Sequence, residues 1–71
     1  MAAYGVAFFR TRENYWLQYR SGALDHETWE SYRSVLVEVI QNGERYRKVW
    51  SMFSDRFDPG FVDEVNRYLP D

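Results

Sequence analysis

Aromatic side chains constrain this sequence more than any other feature: fourteen of its seventy-one residues are Trp, Tyr or Phe. Each ring removes a large apolar area from water when it is buried, so a stable fold must find cover for most of them. A chain this short holds one core at most and lies near the lower size limit for folding alone. The rings recur at helical spacings between clear start and stop signals, which points to several short helices gathered around an aromatic core.

In the first helix, over residues 3–20, Tyr4, Phe8, Tyr15 and Tyr19 mark one face, and Phe9, Trp16 and Leu17 widen it. Ser21-Gly22 supplies a stop, because glycine takes the left-handed cap conformation without strain. Asp25 then reads as an N-cap, Glu27 suits the positive end of a helix, and Leu24 is placed to staple onto Trp29. The second helix, residues 26–41, buries Trp29, Tyr32, Leu36, Val39 and Ile40. A hairpin competes here: Val35, Val37 and Val39 alternate, Asn42-Gly43 is a tight-turn pair, and Tyr46, Lys48 and Trp50 alternate beyond it. The adjacent pairs Val35-Leu36 and Val39-Ile40 favour the helix, and a lone hairpin would find little to pair with in so short a chain. A third helix, residues 44–53, carries Tyr46, Val49, Trp50 and Phe53 at i, i+3, i+4 and i+7. Asp58-Pro59 opens a fourth, residues 59–69, with Phe57 and Val62 as a second staple and Phe61 or Val62, Val65, Tyr68 and Leu69 facing inward. The fold class is therefore all-α: a small bundle of three to four short amphipathic helices in a single domain spanning residues 1–71.

Composition excludes several functions. With no cysteine there is no disulfide framework, thiolate metal site or cysteine nucleophile. His26 is the sole histidine, so sites built from several imidazoles are ruled out. His26 and Glu30 stand at i, i+4, a spacing that can share a metal or a proton, but no further ligands accompany them, and a solvated helix start accounts for the acidic residues. The serines lack a second histidine-type base, and no glycine cluster precedes a Lys and Ser/Thr to cradle phosphate. An enzyme is not expected, and neither is a cofactor. Nine basic residues against eleven acidic ones argue against a dedicated nucleic-acid binder. The densest basic run, Arg45, Arg47 and Lys48 around Tyr46, combines charge with a ring as single-strand binders do. Helical phase splits it, however, turning Tyr46 toward Val49 and Trp50.

The first helix has more apolar side chains than one neighbouring face covers. Phe8 and Phe9 are adjacent, as are Tyr15, Trp16 and Leu17, and a helix apolar on several sides is normally sandwiched. The expectation is a partner surface at Tyr4, Phe8, Phe9, Tyr15, Trp16 and Tyr19, filled by a second copy (a homodimer) or by a partner helix. Arg20, close to these rings, is placed for cation–π contact.

The uncharged run from Met1 to Phe9 is too short to span a bilayer and reads first as the start of an amphipathic helix. Its sharp end at Arg10 and Arg12 gives the alternative, the last turns of an apolar helix leaving a membrane. The pattern Arg-x-x-Glu-Asn-x-x-x-Gln-Tyr-x-x-Gly-x-Leu-Asp-x-x-x-Trp over residues 10–29, the Gly43 to Trp50 spacing, and Phe57-Asp58-Pro59-Gly60-Phe61-Val62-Asp63 together resemble the C-terminal helical region of a group of uncharacterised bacterial proteins. Those proteins look like small inner-membrane-associated chains with an N-terminal hydrophobic helix. The resemblance implies a membrane-proximal domain attached through an upstream segment, in the cytoplasm or on the cytoplasmic face of the inner membrane. It implies no activity.

Overall fold

A computed structural model of the chain describes residues 2–70, with side chains described from residue 5 onward. Four helices follow one another: α1 (Ala2–Arg20), α2 (His26–Asn42), α3 (Glu44–Phe53) and α4 (Pro59–Asn66), with a single 3₁₀ turn, Ser54–Arg56, between the last two. The all-α expectation holds.

Local chemistry sets the boundaries. The chain leaves α1 through Gly22, whose φ of +86° is the left-handed conformation the Ser21-Gly22 stop required. The Ala23 N–H donates back to the Gln18 carbonyl at 2.8 Å, closing the helix end. Asp25 caps α2 by accepting from the Thr28 hydroxyl and the Thr28 N–H, and those donations hold its carboxyl below the usual carboxylate range. Asp58 caps α4 by accepting from the N–H groups of Gly60 and Phe61, with Pro59 in the first turn.

The hairpin alternative is absent: residues on both sides of Gly43 are helical, and Gly43 lies at φ −99°, ψ 92°, not the positive φ of a tight hairpin turn. Arg47 reinforces the α2–α3 corner, its guanidinium donating to the carbonyls of Ile40 and Gln41 at 2.8 and 3.1 Å. Those carbonyls belong to the last turn of α2, where helical acceptors lack intrahelical donors.

α4 is shorter than the expected 59–69. It ends at Asn66, and the chain continues as a turn in which the Tyr68 and Leu69 N–H groups donate to Val65 and Asn66. Tyr68 is nevertheless buried, so the inward face persists past the helix end.

α1 is the axis of the molecule. Its nineteen residues rise about 28 Å at 1.5 Å each, nearly the whole 31 Å long dimension. It packs against α3 along its N-terminal half, through Phe8 and Phe9, and against α2 and α4 nearer its C-terminal half, through Tyr15, Trp16 and Tyr19. The core comprises Phe9, Trp16, Trp29, Leu36, Ile40, Trp50, Phe57, Phe61, Val65 and Tyr68. Tyr32, Tyr46 and Phe53, expected inside, lie partly buried against it, whereas on α2 Val37 packs on the core and Val39, expected inside, does not.

Candidate interaction surface

The six first-helix positions expected to form a partner surface separate once the packing is seen. Phe9 is fully buried, its ring 4.9 Å from that of Trp50 and 6.3 Å from that of Phe57. Trp16 is buried too, 6.2 Å from Phe61. Its indole lies so close to α4 that a Cβ at Gly60 would come within 2.6 Å of it. These two residues therefore belong to the chain's own core, which corrects their placement on a partner surface. Phe8, Tyr15 and Tyr19 are half-buried on the other flank. Phe8 meets Tyr46 edge-on at 5.2 Å, Tyr15 stacks on Tyr32 at 3.9 Å, and Tyr19 stacks on Trp29 at 5.6 Å. The Tyr4 side chain lies outside the described residues.

The surplus of rings is thus largely covered within one chain. A helix that meets several neighbours needs an apolar arc wider than one narrow stripe, and α2, α3 and α4 all pack on α1. Cations complete the cover. The guanidiniums of Arg10, Arg12 and Arg20 lie 4.3, 4.4 and 5.5 Å from the ring centres of Phe57, Phe8 and Trp16. Arg20 therefore makes the ring contact its sequence position suggested.

One buried acid went unnoticed in the sequence. Glu13 is 7 % exposed. One of its carboxylate oxygens accepts from the Asp58 backbone N–H at 2.6 Å, and the other takes the Arg10 guanidinium at 2.6 Å. A side chain of α1 thereby fixes the residue that caps α4, across forty-five positions of sequence. Only its place between Gly5 and Phe9 on one side and Trp16 on the other, in the 5, 9, 13, 16 progression of the inward face, could have marked it. Trp50 makes a comparable link by donating its indole N–H to the Asn66 amide oxygen at 2.9 Å.

The other candidates are placed as follows. The Tyr19 hydroxyl and His26 Nδ1 are 2.9 Å apart, while the carboxylate of Glu30 is engaged by Arg33 at 2.7 Å. His26 and Glu30 are therefore not a pair. The described residues contain no group of three His, Asp or Glu side chains positioned to hold a metal ion. Burial raises the Tyr68 phenol above its ordinary value, and its hydrogen bond to Glu64 adds to the shift. In the basic run, Arg47 turns back onto α2 while Arg45 and Lys48 remain exposed. The three do not form one patch.

The open surface is made of helix faces. A shallow groove of about 300 Å³ runs over the outside of α1 between Arg10, Thr11, Glu13, Asn14, Tyr15 and Leu17. Leu17 is 42 % exposed, Val35 on α2 45 % and Met52 on α3 67 %. Among the described residues no helix is long and apolar enough to cross a membrane. No protein-family model matches the chain, and comparison with curated proteins and with solved structures finds no similar protein in either.

Proposed function

We propose that this chain is a non-enzymatic helical interaction module that associates with a second copy of itself or with a partner helix along the outside of α1. The observation that carries the reading is the groove on α1, where Leu17 stays well exposed beside the half-buried Tyr15. A helix laid along α1 would cover Leu17 and the outer edge of the Tyr15–Tyr32 stack, the way amphipathic helices seat apolar anchors in grooves.

Sedimentation across a concentration series tests this. Leu17→Asp places a charge in the proposed contact without touching the core. It is expected to weaken association at least tenfold, equivalent to about 1.4 kcal/mol, while the far-ultraviolet circular dichroism stays unchanged. Equal association of the variant and the parent chain would contradict the reading.

A further inference from the structure

The exposed faces of α2 and α3 carry opposite charge at matching intervals. On α3, Arg45, Lys48 and Met52 follow at i, i+3 and i+7; Arg56 lies beyond the helix end in the 3₁₀ turn, its guanidinium 5.3 Å from the Phe53 ring centre. All four are exposed, Met52 most of all. On α2, Glu27, Ser31, Ser34 and Glu38 follow at i, i+4, i+7 and i+11 on the outer face, with Val35 exposed beside them. Among the described residues none of Arg45, Lys48, Arg56, Glu27 or Glu38 is in an ion pair, whereas Arg10, Arg33 and Arg67 are.

We propose that the basic face of α3 docks on the acidic face of α2 of a second copy of this chain. Glu27 and Glu38 are eleven residues apart and span about 17 Å along α2. Arg45 and Arg56 are also eleven residues apart, over eight steps of α3 and the 3₁₀ turn that follows it. Laid parallel, the two helices bring Arg45 to Glu27 and Arg56 to Glu38. Met52, seven residues into its row, then meets Val35, eight residues into the other. The two exposed apolar side chains cover each other between two ion pairs, and Lys48 falls over Ser31. Glu44 and Asp55 lie on the Lys48 edge of the α3 row, one and two turns from it, so the positive charge of the row is concentrated at Arg45 and Arg56.

The two surfaces differ, so the contact is heterologous: each copy keeps one free face of each kind, and association continues into a ring or a short chain. Exposed ion pairs hold such an interface weakly and are screened by salt. The inference goes beyond the α1 reading, because it uses other faces and predicts a different symmetry.

Charge reversal in two variants tests it by sedimentation velocity at low ionic strength, on the whole chain, up to about millimolar concentration, where weak contacts register. The first variant carries Arg45→Glu with Arg56→Glu, the second Glu27→Lys with Glu38→Lys. All four positions are exposed, and circular dichroism checks that both variants fold. The parent chain is expected to form species larger than dimers, with an association constant at least tenfold lower in 0.5 M salt. Each variant alone is expected to sediment as a smaller species, and an equimolar mixture of the two to regain the assembly, because every reversed face again meets its complement. A parent chain that stays monomeric throughout overturns the proposal, as does a mixture that regains nothing. Association that survives both reversals but is lost in Leu17→Asp also overturns it, and leaves the α1 reading standing. Binding of the α3 row to anionic vesicles by a chain that does not self-associate overturns it as well, and assigns that face to a lipid surface.

Discussion

Phe9→Ala is expected to lower the unfolding free energy by about 3–5 kcal/mol. That is comparable with the whole stability expected of a domain of this size, about 4–10 kcal/mol. The magnitude follows from position. Phe9 is fully buried on the central helix, and its ring contacts Phe8, Tyr46, Trp50 and Phe57. Those rings come from α1, α3 and the segment leading into α4. Alanine would leave a cavity walled by rigid aromatic side chains, which collapse poorly to fill space. Tyr15→Ala provides the contrast, since Tyr15 is half-buried and its main ring contact is the stack on Tyr32. Its loss is expected to stay near 1–2 kcal/mol. Urea denaturation followed by tryptophan fluorescence measures both. Equal losses would mean that Phe9 is not central to the core.

The second large effect concerns Glu13. Replacing it with alanine is expected to cost about 1–3 kcal/mol, because the part-buried Asp58 N–H then loses its acceptor at the start of α4. The Arg10 ion pair adds little, since the Arg10 side chain is about half exposed (52 %) and solvent screens it. Glu13→Gln keeps an oxygen able to accept from Asp58 and is expected to lose about 1 kcal/mol or less. Amide hydrogen exchange distinguishes a lost hydrogen bond from general loosening. The Asp58 N–H should exchange much faster in the alanine variant than in the glutamine variant, relative to the Trp29 N–H within α2. Equal acceleration at Asp58 in both variants would contradict the role given to the carboxylate.

The helices and their caps were legible in the sequence because their causes are local. Asp25 and Asp58 cap helices through N–H groups within three residues of themselves, and Gly22 takes its positive φ wherever the helix happens to pack. Such features need no knowledge of the tertiary fold. The inward residues of α2, α3 and α4 were legible for a related reason, since each of these helices has one covered face and its apolar period marks it.

α1 was only partly legible, Phe9 and Trp16 lying in the chain's own core, because its environment is not local. Reading Tyr15, Trp16 and Leu17 as more than one face can bury is sound for a helix at the edge of a bundle, and it called for an external partner. Within the chain, α3 meets α1 along its N-terminal half and α2 and α4 meet it nearer its C-terminal half, burying Phe9 and Trp16 and half-covering Phe8, Tyr15 and Tyr19. Periodicity reports how wide an apolar arc is, not which chain covers it. Glu13 was obscure for the opposite reason. Acidic residues are almost never buried without a partner, and its partner, the Asp58 N–H, lies forty-five residues away, beyond any spacing rule. The basic run misled in a third way. Arg47 looks like its neighbours Arg45 and Lys48 in sequence, but only Arg47 can reach the carbonyl end of α2 across the Gly43 corner.

The central claim is that one chain covers the rings of α1 by itself. An isotope-filtered nuclear Overhauser experiment on an equal mixture of labelled and unlabelled chains tests this directly. Contacts between the rings of Phe9 and Trp50 and between those of Tyr15 and Tyr32 are predicted within labelled molecules, with none of them in the spectrum that selects pairs from different chains. The same ring contacts in the intermolecular spectrum would mean that these rings are covered by the helices of a second copy and not by the chain's own, and would contradict the account.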